Sequence, residues 1–169
     1  NMPYVTVGTQ KLFYARTGHR SVDGPTVILI HGAGGSRLHW PAALRRLSEA
    51  VVYAIDLPGH GRSDGPGCDS VADYMAAVMG LLDTTDTARA VWVGHSMGGA
   101  ITQMAALYHP ERVASLALIS TAAHLSSAAE LLTSAAYSFE SAVEILAQRA
   151  WADGVPSERV QLSRQAMAE

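Results

Sequence analysis

The sequence has one cysteine, Cys68, among 169 residues, which excludes an intrachain disulfide framework and leaves no cysteine cluster for a structural zinc. A reducing, cytoplasmic setting is the expectation that follows. Long apolar runs are also missing, since no stretch approaches the roughly 20 residues a membrane-spanning helix needs. The opening "NMPYVTV" has neither the basic nor the apolar segment of a secretory leader. The chain therefore reads as soluble and unsecreted, with no membrane partner, and Asn1 is set aside as foreign to a natural start. Charge is sparse: the formal net charge is −3, and no dense Lys/Arg block offers a surface to nucleic acid or to an anionic membrane.

What is present is apolar residues, 49% of the chain, enough for one domain with a full core. "PYVTVGTQKLFYART" carries two β-rich runs around Gly8-Thr9 and predicts an opening hairpin at a sheet edge. "PTVILIHGAGG" is a continuous β-branched run ending in glycines, the pattern of a strand buried on both faces. "AVVYAIDLPGHG", "ARAVWVGHS" and "VASLALIST" read as further strands.

Helical patterns alternate with these runs. Pro41 opens one with Leu44 and Leu47 on one side and Arg45 and Arg46 on the other. A second is capped by Asp69 or Ser70 and runs to about Leu82, and a third, "MGGAITQMAALYHP", must stop near Pro110. Strands alternating with helices predict an α/β fold, a mostly parallel sheet with helices on both faces. From Ala122 to Glu169 no strand-like run remains; two or three helices are expected there, one capped by Ser157.

The chemistry lies in two glycine-bearing turns. "GHSMGG" fits G-x-S-x-G with Gly94, Ser96 and Gly98, preceded by a strand and followed by a helix, the context a nucleophile elbow requires. His95 and Gly99 complete the turn. Such a bend forces Ser96 into strained geometry and leaves no room for neighbouring side chains, while the N–H groups opening the next helix favour negative charge beside it. The second turn, "HGAGG", starts at His31 and Gly32 directly after a strand. An N–H of this loop, assigned here to Ala33, joins that of Met97 as a candidate oxyanion hole.

"HGAGG", "DLPGHGRSDG" and "VGHSMGGAITQMAALYHPERV" together resemble the α/β-hydrolase fold superfamily, and within it the small bacterial esterases that carry a helical cap. The resemblance covers about Tyr4 to Thr121. It implies Ser96 as nucleophile, the Ala33 and Met97 N–H groups as oxyanion hole, and residues 122–169 as the start of a cap following residues 2–121 of the core. It also implies a catalytic Asp after a seventh strand and a His after an eighth, and the sequence reaches neither.

Of the histidines, His31 and His95 belong to the glycine turns and are expected to make structural hydrogen bonds. His60 is read as stabilising its own loop, which Asp56 ties down, and His19, His39 and His109 as surface or helix-end residues. His124, following a strand whose carboxyl end faces the site, is the one internal candidate for a base. The positions after the sixth strand, Ser120, Thr121, Ala122 and Ala123, offer no carboxylate. From Gly32 the run G-A-G-G-S-R has Arg37 where a dinucleotide fingerprint needs its last glycine, and the Walker lysine is absent. No His, Asp or Glu grouping has metal-ligand spacing, so neither cofactor nor metal is expected.

The expected activity is that of a serine hydrolase, a carboxylesterase acting on a small ester, with lactone, small-peptide or carbon–carbon bond hydrolysis open within the class. The alternative is a hydrolase-like protein that binds a ligand without turnover. The missing Asp and His lead to three expectations: a cleavage product still bound to a carboxyl-terminal fragment, part of a longer protein, or a truncated relative that pairs the open edge of "SLALIS" with a second copy.

Overall fold

The computed structural model describes residues 3–18, 24–123, 138–149, 151 and 153–168. The chain divides into two units, Asn1–Ala123 and His124–Glu169. In the first, β1 (Tyr4–Val7) and β2 (Gln10–Thr17) form the expected hairpin, with Gly8 at φ 59° in its turn, a left-handed conformation glycine adopts without steric cost. The strands β3 (Thr26–Ile30), β4 (Val51–Ile55), β5 (Ala90–His95) and β6 (Val113–Ile119) are mutually parallel. The sheet order is β1-β2-β4-β3-β5-β6, and β2 joins β4 antiparallel.

Chain direction explains the two faces. The step from β3 to β4 passes through a one-turn helix, α1 (Ala42–Arg45), and moves toward β2. The steps from β4 to β5 and from β5 to β6 pass through α2 (Val71–Thr84) and α3 (Met97–Tyr108) and move the other way. Right-handed crossovers taken in opposite directions place their helices on opposite faces.

Accordingly Ile28, Ile30, Tyr53, Ile55 and Trp92 share one core with Val78, Leu81 and Leu82 of α2 and Ile101 and Ala105 of α3. Val27, Leu29, Val52 and Ala54 share another with Trp40 and Ala50. Each fully buried large aliphatic side chain contributes about 1.5–3 kcal/mol, so the α2–α3 face carries most of the stabilisation.

One of these helices departs from expectation. α1 ends at Arg45, and Leu44 and Leu47 stay exposed. The Thr17 hydroxyl takes the Arg45 carbonyl at 2.5 Å, removing an acceptor that a longer helix would use. α2 matches its reading, with Ser70 as cap accepting the Asp73 N–H at 3.1 Å.

β6 pairs only with β5 among the described residues and forms a sheet edge. All of it beyond Val113 is exposed, including Leu116, Leu118 and Ile119.

In the second unit, α4 (Phe139–Arg149) and α5 (Ser157–Ala168) are linked by a Glu144–Arg164 ion pair of 2.7 Å. Trp151 Nε1 donates to the Ser163 hydroxyl at 2.9 Å. Ser157, expected as a cap, is instead the first helical residue. The preceding Pro156 carbonyl accepts the Arg159 N–H at 2.9 Å. No helix among the described residues is long and apolar enough to cross a membrane.

Candidate active site

The sheet order reverses between β3 and β5, and the crevice at the carboxyl ends of such strands is where open α/β sheets place ligands. Ile30 and Gly94 are register partners there, so the loop after β3 and the turn after β5 leave the sheet side by side. Ser96 stands at that point with φ 51° and ψ −116°. This is a left-handed, strained backbone that a non-glycine residue keeps only when its surroundings enforce it.

The surroundings are specific. The Ser96 N–H donates to the Ile119 carbonyl of β6 at 3.0 Å, and the Ser96 carbonyl accepts the N–H groups of Gly99 at 2.9 Å and Ala100 at 3.2 Å. The Thr121 hydroxyl donates to that same carbonyl at 2.9 Å.

Glycine is required on both sides of Ser96 by close approach. A Cβ on Gly94 would strike the Gly98 carbonyl, and one on Gly98 would strike the Ile30 carbonyl. One on Gly99 would enter the Thr121 side chain.

The loop after β3 packs against this turn. A Cβ on Gly32 would lie 3.1 Å from the Ser96 Cβ and 3.0 Å from His95 Nδ1. Gly34, at φ 67°, lets the loop fold so that the Gly35 N–H reaches the Gly32 carbonyl at 3.1 Å. Among the described residues no protein acceptor takes the N–H of Ala33 or of Met97. An amide left unpaired beside a serine is available to an oxyanion.

Both ends of this loop are anchored to consecutive residues after β4. At its start, buried His31 donates from Nδ1 to the Gly32 carbonyl at 2.7 Å and accepts the Leu57 N–H on Nε2 at 3.0 Å. Burial lowers its pKa to about 3, so the ring is neutral and acts as a fixed brace.

At the loop's end, the buried Asp56 carboxylate accepts the Arg37 N–H at 2.7 Å and the Arg62 N–H at 3.0 Å. It also pairs with the Arg37 guanidinium at 2.6 Å. The Arg37 and Arg62 guanidinium groups each lie 4.4 Å from the Phe13 ring centre, cation–π contacts that join the bracing to β2.

His60 donates from Nδ1 to the Pro58 carbonyl at 2.9 Å, and its ring centre is 5.1 Å from that of His31. The pKa values of His39 and His95 are lowered, in both by desolvation first and in His95 also by repulsion from His39. Such shifts favour the neutral imidazole at both positions.

Among the described residues the one His–carboxylate ion pair is His109 with Glu111, at 3.5 Å. It lies beyond the far end of α3, about 18 Å along the helix from Ser96. His124 and His19 lie outside the described residues. Among the described residues no three His, Cys, Asp or Glu side chains are grouped to hold a metal ion. Sequence reading did not single out Thr121 or the Arg37 ion pair as site residues. A hydroxyl and a guanidinium carry no motif until the register of β6 and the path of the β4 loop bring them to the site.

Residues 25–156 match the α/β hydrolase fold family, and the chain belongs to that family. The solved enol-lactonase from Burkholderia xenovorans LB400 superposes with a TM-score of 0.80 at 28% identity, covering 98% of this chain and 67% of that one. A pimeloyl-[acyl-carrier protein] methyl ester esterase of Edwardsiella ictaluri is 35% identical over 96 residues, 56% of this chain and 36% of the relative. The dihydrolipoyllysine-residue acetyltransferase component of the acetoin cleaving system of Pseudomonas putida is 42% identical over 104 residues, 59% of this chain and 27% of the relative. The match thus spans about a third of these curated relatives and two thirds of the lactonase.

Proposed function

We propose that this chain is the nucleophile-bearing part of a serine hydrolase, a carboxylesterase that cleaves a small ester through an acyl-enzyme. The observation that carries the reading is the strained Ser96 backbone at a strand-to-helix turn beside a glycine loop. Ser96 Oγ attacks the ester carbonyl as its proton passes to a general base. The Ala33 and Met97 N–H groups take the oxyanion, the alcohol leaves with a proton, and water then attacks the acyl-Ser96 ester to release the acid. The base is a histidine outside the described residues, and its acid partner is a carboxylate of the whole protein. His31 does not fill the base role, because both its ring nitrogens are engaged and its pKa is far below neutrality.

The esterase and enol-lactonase named above support an ester or lactone carbonyl as the target. The acetyltransferase relative supports a second reading, in which the acyl group passes to an acceptor other than water. A cytoplasmic setting fits the lone Cys68.

The test is covalent labelling of the whole protein with a fluorophosphonate, mapped by peptide mass, together with p-nitrophenyl acetate turnover. Labelling at Ser96 and a loss of roughly a thousandfold or more in turnover for Ser96→Ala are expected. Retained turnover in that variant sinks the reading. Binding of small esters without labelling or turnover identifies a ligand-binding protein instead.

A further inference from the structure

The residues after β6 grip the Ser96 turn more closely than a chain reversal requires. Ser120, at φ 47°, is like Ser96 a non-glycine residue in the left-handed region, and the residue after it meets the first turn of α3. Ile119 has by then accepted the Ser96 N–H at 3.0 Å. Thr121 follows with its hydroxyl on the Ser96 carbonyl at 2.9 Å and its methyl and Cβ filling the space left by Gly99. Gln103 Nε2 then bridges the Gly99 and Ala122 carbonyls, each at 3.3 Å. The N–H and the carbonyl of strained Ser96 are thus both held by the residues on either side of strained Ser120, Ile119 and Thr121. Strained backbone persists only where such contacts over-determine it.

We propose that Thr121 is a positioning residue for Ser96: its hydroxyl, by fixing the Ser96 carbonyl, sets the direction in which the Ser96 side chain meets an acyl carbonyl. This rests on the reading of Ser96 as the nucleophile. The threonine never touches substrate. It acts on the backbone from which the nucleophile projects, where a displacement of about 1 Å is enough to cost two orders of magnitude in rate. The methyl group and the hydroxyl have separable tasks, one packing against Gly99 and the other orienting Ser96.

The experiment compares Thr121→Val, Thr121→Ser and Thr121→Ala with the unaltered whole protein, using the rate of Ser96 phosphonylation by a fluorophosphonate over a range of probe concentrations. Val keeps the shape without the donor, and Ser keeps the donor without the methyl group. One neutral hydrogen bond is worth about 1 kcal/mol, so the maximal inactivation rate should fall about fivefold for Val and Ala, with the half-saturating probe concentration unchanged. The serine variant should return to within twofold of the original rate.

Equal rates for Val and the original protein overturn the proposal, as does an equal fall for Ser and Val, which would assign the effect to packing. If neither Val nor Ala folds by circular dichroism, Thr121 is a structural residue and the proposal fails. Should the unaltered protein not label at Ser96 at all, the nucleophile reading itself is what has failed.

Discussion

Asp56 and Arg37 form an ion pair of 2.6 Å in which the carboxylate is wholly withdrawn from solvent and the guanidinium side chain is only 14% exposed. The pair closes the end of the glycine loop onto β4. A buried pair is costly to break because the surviving charge stays desolvated. Asp56→Ala is therefore expected to destabilise the fold by about 3–5 kcal/mol. Arg37→Ala should cost less, since the carboxylate keeps the Arg62 N–H and the backbone N–H of residue 37. Urea unfolding of the two variants checks this order, and equal losses would contradict it.

Protonation of His31 gives stability a definite pH dependence. The folded ring has a pKa of about 3 against 6.5 for the free side chain. Above pH 6.5 both states are neutral and the group adds no slope. Below it the unfolded chain gains a proton that the folded chain refuses, so stability falls by up to about 1.4 kcal/mol per pH unit until pH 3. The lowered pKa values of His39 and His95 act in the same direction. His31→Gln retains an acceptor for the Leu57 N–H and removes the titration. It should be less stable than the original at pH 7 and lose less on going to pH 4.5, as measured by denaturant midpoints at the two pH values.

Gly98→Ala tests the packing of the elbow. The added methyl group would meet the Ile30 and His31 carbonyls, which are backbone atoms of the central strand and its loop and cannot rotate away. A loss of about 1–3 kcal/mol, typical of overpacking, is expected, together with a slower reaction of Ser96. Thermal melting and fluorophosphonate labelling report the two effects separately.

The exposed edge of β6 predicts association of the 169-residue chain. Leu116 and Leu118 are 44% and 42% exposed on an edge that no other strand pairs among the described residues, and an apolar open edge is a template for another strand. Leu116→Lys places on it the charge with which natural edges block pairing. Sedimentation velocity should show oligomers of the unaltered chain that this variant reduces.

Much of the sheet was legible because buried parallel strands are apolar without interruption. "TVILI" and "VVYAI" needed only their β-branched content and flanking glycines to be read. The same reasoning did not settle how long α1 would be. Leu44, Arg45, Arg46 and Leu47 satisfy a helical pattern locally, yet Thr17, 28 positions from Arg45 in sequence, takes the carbonyl on which continuation depends. The elbow was legible as a motif because its glycines stand at fixed spacing about Ser96, although only the Gly94 collision, with Gly98 and Gly99, is local and those of Gly98 and Gly99 are with Ile30 and Thr121. Asp56 was read as tying down its loop; its pairing with Arg37, and the contact of Thr121 with Ser96, arise from strand register, which no local pattern encodes.

The bond from the Ser96 N–H to the Ile119 carbonyl continues the β5–β6 ladder by one rung past the last residue of β5. In solvent-exchange terms, the amide proton of Ser96 belongs to the sheet and not to a surface loop. Its exchange with deuterium is governed by the opening of β6 from β5, so any molecule that clamps or pries that edge also sets how often the reactive turn comes loose.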